Sequence, residues 1–238
     1  MNDLYKFLTT KPLIRTHLNG CNDFVYILSL TQSLNDLNVV LVYHDETTSI
    51  TTISLTVINK GNVFRYYLDY KTLQNIDPTK TIKRIEVYIE QQNKIVYNIT
   101  EPKTSNVFTI IYKNSLGGFD SFQCEGDQVE SLSSISITNQ KTFPANYEYQ
   151  FQEFTEVSQQ SIDRLNLSSG YKNKKEIDSF KDAFHHKNVF HLYTQNNQKY
   201  LIPYRIVSNF SQTGIFSNLS AVTFTIEKSA TNQYLQLP

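Results

Sequence analysis

A chain of 238 residues is long enough for one large or two small domains and for a sizeable core. Lys+Arg and Asp+Glu number 22 each, so the formal net charge is zero and the basic footprint that phosphate binding needs is missing. Two cysteines far apart, Cys21 and Cys124, exclude a disulfide framework and a CxxC metal motif, and both read as small buried hydrophobes.

Residues 1–22 read as an irregular arm, punctuated by Pro12 and Gly20. They hold no apolar stretch of the signal-peptide kind, so synthesis in a reducing cytosol is expected. No apolar run approaches the ~18 residues that a membrane span needs. Phe24 to Leu30 is a continuous apolar run compatible with a buried strand, and Leu37, Val39, Leu41 and Tyr43 alternate as a second. Ile53, Leu55 and Val57 alternate with Ser54 and Thr56, and Asn59-Lys60-Gly61-Asn62 separates them from Phe64, Tyr66 and Leu68, which predicts a hairpin. Ile85, Val87 and Ile89 form a strand that Ile95 to Ile99 pairs back on. Val107 to Tyr112 leads into Asn114-Ser115-Leu116-Gly117-Gly118, and Phe119 to Cys124 leads out. Glycine reaches positive φ without a Cβ penalty, so Gly117-Gly118 marks a tight reversal between two strands. Eight short strands at close spacing predict an antiparallel β-sandwich or barrel over residues 23–127.

After Gly126 the strands read longer and wetter, so a soft boundary is placed near residue 127, with a second β-rich domain over 128–238 and one continuous sheet through both halves as the alternative. Ile135 and Ile137 mark one strand, and Tyr147, Tyr149 and Phe151 alternate with Glu148 and Gln150 in another. Ile177, Phe180 and Phe184 recur on one face of a single short helix, 174–185. Strands resume at Val189–Tyr193, Tyr200–Val207 and Ala221–Ile226. The fold class is therefore mainly β, with one helix.

The chemistry-bearing residues are few. His185, His186 and His191 lack the i, i+4 spacing of a shared metal site, and His at a helix C-terminus suits the dipole. Asp120, Glu125, Asp127 and Glu130 cluster without the oxygen order of a Ca²⁺ loop and read as a solvated loop. No GxSxG, P-loop or GxGxxG occurs, and Cys124 reads as a strand thiol, so no catalytic, cofactor-binding or metal-ligating residue is assigned and no enzymatic activity is expected. Tyr66, Tyr67 and Tyr70, like Tyr147 and Tyr149, read equally as strand packing or as interface anchors.

Residues 112–126, YKNSLGGFDSFQCEG, carry an apolar strand, N-S-L-G-G, an aromatic, Asp and a further strand. This pattern resembles virion proteins of tailed phages of Bacteroidetes hosts, and the Asn-rich composition resembles that of the crAss-like phages. Phe119 stands where the pattern has Trp. The resemblance extends more weakly over residues 80–238. It implies a structural tail or collar protein that forms a homo-oligomeric ring around the DNA channel, with other tail and portal proteins as partners. It also implies a place in the virion tail and DNA passing through the lumen without sequence-specific binding. No functional residue is carried over, because the motif describes a turn. Tyr147, Tyr149, Phe151, Gly117 and Gly118, with the arm 1–22, are the expected interaction residues. A carbohydrate- or receptor-binding β-sandwich on a fibre or cell surface is the alternative; the absence of Trp counts against it.

Overall fold

The computed structural model describes residues 5–30, 34–58, 61–89, 93–104, 107–140, 154–195, 198–216, 218–229 and 235–236. The first half runs β1 (Tyr5–Phe7), β2 (Ile14–Leu18), β3 (Asp23–Ser29), β4 (Leu34–Tyr43), β5 (Thr48–Ile58), β6 (Val63–Leu68), α1 (Tyr70–Gln74), β7 (Ile82–Ile89) and β8 (Asn93–Thr100). The second runs β9 (Phe108–Lys113), β10 (Phe119–Cys124), β11 (Gln128–Gln140), β12 (Phe154–Ser168), β13 (Lys172–Asn173), α2 (Lys174–Ser179) and α3 (Lys181–His186). It ends with β14 (Asn188–Gln195), β15 (Gln198–Ile206), β16 (Ser211–Phe216), β17 (Leu219–Lys228) and β18 (Leu235–Gln236). The mainly-β class holds, and the eight strands read between residues 24 and 124 are β3 to β10.

These strands form a three-stranded sheet, β1-β3-β6, a five-stranded sheet, β2-β8-β7-β4-β5, and a ten-stranded sheet whose path is β10-β9-β14-β15-β17-β12-β11. Period-two alternation sets the layers. Val25 and Ile27 of β3 face the five-stranded sheet and share a core with Leu37, Val39, Leu41, Ile85, Val87 and Tyr97, which makes a sandwich. Phe24 and Tyr26, on the other face of β3, pack on the ten-stranded sheet through Ile111, Phe119 and Leu192. Ile110 and Tyr112 point to that sheet's far face, where α2 and α3 cover a third core. Phe180 sits at its centre, stacked on Phe122 with centroids 3.9 Å apart and edge-on to Tyr112 and Phe184. Full burial of such a ring contributes roughly 1.5–3 kcal/mol.

Several sequence expectations are corrected. The helix read over 174–185 is two short helices that meet at Phe180; its predicted face holds, with Ile177 and Phe180 fully buried. The hairpin expected at Asn59–Asn62 does not form: β5 pairs with β4, while β6 crosses to β3 in the other layer. The arm is not irregular. β1 joins β3, and β2 pairs in parallel with β8. The break near residue 127 falls inside one sheet, because β9 hydrogen-bonds to β14. Tyr66, Tyr67 and Tyr70 pack inward, Tyr67 against Phe24 and Tyr70 into the sandwich core. Among the described residues no helix is long and apolar enough to cross a membrane.

Candidate functional site

The glycine turn closes the β9–β10 hairpin, with Lys113 opposite Phe119. Asn114 organises it. Its Oδ1 accepts the Leu116 N–H at 3.1 Å and the Gly118 N–H at 2.9 Å, while its Nδ2 donates to the Leu8 carbonyl and to Asp120, both at 2.9 Å. Gly117 has φ +87°, and Gly118 lies against Leu8. Gly118, expected at an intermolecular contact, thus serves an internal joint between the turn and the arm, while Gly117 beside it has open space around it.

That joint opens onto a buried polar cluster. Asp120, read as part of a solvated loop, is buried on β10. Its carboxylate accepts the Thr9 hydroxyl, the Thr10 hydroxyl at 3.2 Å and the Thr10 N–H at 3.0 Å. Asp23, fully buried, lies 3.5 Å from Lys11 Nζ and 3.8 Å from Arg15 Nη1. Burial opposes its charge, but Lys11, Arg15 and His17, with a hydrogen bond from Ser121, bring the carboxyl down to about 2. The Arg15 guanidinium also lies 5.2 Å from the Tyr97 ring centroid. Glu176 of α2 accepts the Thr16 N–H at 2.8 Å. Glu125, also read as solvated, is buried 3.7 Å from Lys172; Asp127 and Glu130 are exposed.

His17 is held neutral within this cluster. Gln123 Oε1 accepts the Leu18 N–H at 2.9 Å, which turns its Nε2 donor onto His17 Nδ1 at 3.0 Å. The proton therefore sits on His17 Nε2, which donates to the Cys21 carbonyl at 3.0 Å. Burial pushes this imidazole down to about 4. The cavity beside the cluster, lined by Lys11, Thr16, Ser121 and Glu176 among others, holds about 10 Å³, near the lower limit for one water. A substrate has no room there; the cluster ties the described arm to β10 and α2 through its buried side chains, while Leu13 and Ile14 stay exposed.

A second feature lies at the far end of the ten-stranded sheet. β11 and β12 pair from Gln128↔Leu167 to Gln140↔Phe154, but β12 pairs with β17 only from Arg164 to Ser168. Beyond Arg164 the two strands run on as a ribbon without a third strand among the described residues. At its root a groove of about 330 Å³ is lined by Glu130, Leu132, Asp163, Arg164, Leu165, Tyr204 and Lys228. Leu132 is 69% exposed. Glu227 lies between Arg164 and Arg205, with its Oε2 3.6 Å from Arg164 Nε, and braces the outer face. Tyr147, Tyr149 and Phe151, the expected interaction residues, fall outside the described residues, between the two strands of the ribbon. The groove residues other than Glu130 were not singled out from the sequence; the pairing of 128–140 with 154–168 was the missing signal.

The other candidates separate. Cys124 is buried, and burial pushes its thiol up to about 12; Cys21 is half-buried and also free. His185 and His186 are exposed at the end of α3, whereas His191 stacks on Phe108 with centroids 3.7 Å apart. Among the described residues no group of three or more His, Cys, Asp or Glu side chains is placed to hold a metal ion. A scan of protein families finds no match to this chain, and no curated protein is similar to it.

Proposed function

We propose that this chain is a structural subunit without catalytic activity that assembles into a homo-oligomeric ring, within the tail or neck of a tailed phage, around the DNA channel. The ribbon carries the reading. A two-stranded hairpin is marginal in water without a third strand or a packed face, and this one continues past the sheet that anchors it. Unpaired strand edges are a hazard in a free monomer and are used up in a closed assembly. The zero net charge supports the same reading: copies do not repel, and a neutral lumen does not hold passing DNA. The phage setting rests on the resemblance over residues 112–126.

Mass photometry of the purified chain across a wide concentration range tests the assembly. Closed rings of one copy number are expected. A chain that stays monomeric throughout, and that does not join tail particles when added to them, overturns the proposal.

A further inference from the structure

Two long strands leave an edge open. Among the described residues, β5 (11 residues) pairs with β4 alone and β11 (13 residues) with β12 alone. The Tyr43 N–H donates to the Thr47 carbonyl at 3.0 Å, which sets the phase of the β4–β5 ladder. Odd-numbered residues of β5 then bond to β4, and Ile50 and Thr52 direct their N–H and C=O outward. The Ser168 N–H donates to the Asp127 carbonyl at 3.1 Å, so odd-numbered residues of β11 bond to β12, and Glu130 and Leu132 direct theirs outward.

The chain guards its other edges. On β2, the Thr16 and Leu18 N–H groups donate to the Glu176 and Gln123 side chains. β10 is buried from Asp120 to Cys124. A bulge breaks the free stretch of β12, where pairing steps from Ser158 to Glu156. β1, β6 and β16 have six residues or fewer. By contrast, β5 carries no charged residue and no proline, and its register is unbroken from Thr48 to Ser54. β11 carries a single charge, Glu130, and is unbroken from Gln128 to Ile137. Long edges without charge, proline or bulge recruit another strand.

We propose that β5 of one copy pairs antiparallel with β11 of the next. In an assembly of identical chains the edge that satisfies β5 belongs to a copy. β5 against β5 is isologous and stops at a dimer, whereas β5 against β11 uses two different edges and passes head-to-tail around a ring. The direction follows from the ladders. In an antiparallel pair, outward-bonding even residues stand opposite even ones, and odd opposite odd. The sequences Thr52-Ile53-Ser54-Leu55-Thr56 and Ser134-Ile135-Ser136-Ile137-Thr138 carry their apolar residues at odd positions, so this pairing matches apolar with apolar; a parallel one would set them against Ser and Thr. This inference rests on the assembly reading and supplies its contact.

Proline removes an N–H and is tolerated on an edge strand where that N–H points away from the ladder. Ile50→Pro and Leu132→Pro therefore block one edge each and leave β4–β5 and β11–β12 paired, which circular dichroism checks. By mass photometry, each alone is expected to be monomeric where the wild type assembles. Mixed together they are expected to form heterodimers and stop there, because one β5 edge and one β11 edge remain. Ile50→Ala and Leu132→Ala keep the N–H and are expected to assemble as the wild type does. Thr52→Lys, which guards the β5 edge by charge, repeats the test without touching the backbone. If one proline variant still assembles, its edge is not in the contact and the pairing is overturned; if both do, this contact is wrong while the ring reading stands. A wild type that never assembles, alone or on tail particles, overturns both.

Discussion

Gly118 lies against the backbone of Leu8: a Cβ at position 118 would overlap the Leu8 carbonyl oxygen and stand 3.0 Å from the Leu8 Cβ. The turn that closes β9 and β10 is therefore also the seat of the N-terminal arm. Gly118→Ala must displace either the turn or the arm, and is expected to cost about 2–4 kcal/mol. Gly117 has open space around it but φ +87°, so Gly117→Ala is expected to cost only about 1–2 kcal/mol. Urea unfolding of the two variants checks the order; equal losses would mean that the arm does not rest on Gly118.

The sequence made strands legible where one face is buried, and failed where burial is supplied from elsewhere. β4 and β7 alternate because one face of each lines the sandwich core, whereas β3 and β9 read as continuous apolar runs because both of their faces are buried. Turn residues show where the chain reverses but not which layer takes the next strand, and Asn59–Asn62 was misread for that reason. The arm looked irregular because β2 turns Arg15 and His17 inward, and the groups that satisfy them, such as Asp23 and Gln123, lie far along the chain or beyond a turn. Asp120 and Glu125 looked solvated because nothing nearby in sequence reveals Thr9, Thr10 and Lys172 as their partners. Phe154–Ser168 went unread because polar residues interrupt its apolar ones until Leu165 and Leu167, which reach the third core. The groove depends on that ribbon and was hidden with it.

Asp23 holds two buried cations. Asp23→Ala leaves Lys11 and Arg15 without their carboxylate, and breaking a buried pair in this way costs about 3–5 kcal/mol. Its folded pKa, about 2, lies below the usual carboxylate value. The resulting stability, about 2 kcal/mol, is therefore present above about pH 4 and is lost as pH falls through about 2. Denaturant midpoints of wild type and Asp23→Ala between pH 2 and pH 7 should converge toward the acid end; parallel curves would refute the assignment.

Two histidines destabilise the fold at milder acidity. Burial holds His17 and His191 down to about 4, whereas an unfolded histidine titrates near 6.5. Between those values the unfolded chain binds protons that the folded chain refuses. Stability is then complete above about pH 6.5 and falls as pH drops through about 4, by about 3 kcal/mol for His17 and less for the half-buried His191. His191→Phe keeps the stack on Phe108 and removes its titration. The variant should lose less stability than the wild type between pH 6.5 and 4, and an unchanged slope would clear His191 of any part in it.

The ribbon offers the sharpest separation of fold from assembly. The third core draws on Leu165 and Leu167 of β12, close to where that strand pairs with β17. Replacing 134–161 by Asn-Gly joins Ser133 to Ile162, which lie opposite each other, through a turn suited to a two-residue hairpin, and leaves β12 paired with β17. Because the removed ribbon pairs with no third strand among the described residues, the Tm is expected to stay within about 3 °C of wild type, the shift that roughly 1 kcal/mol produces in a chain of this size. Self-association should vanish, since the shortened chain lacks the ribbon whose strand edges the proposed assembly uses. Calorimetry and mass photometry on one preparation decide the point. A large fall in Tm would make the ribbon part of the fold, and rings that persist without it would place the contact on another edge, β5 being the longest of those left with a partner on one side only.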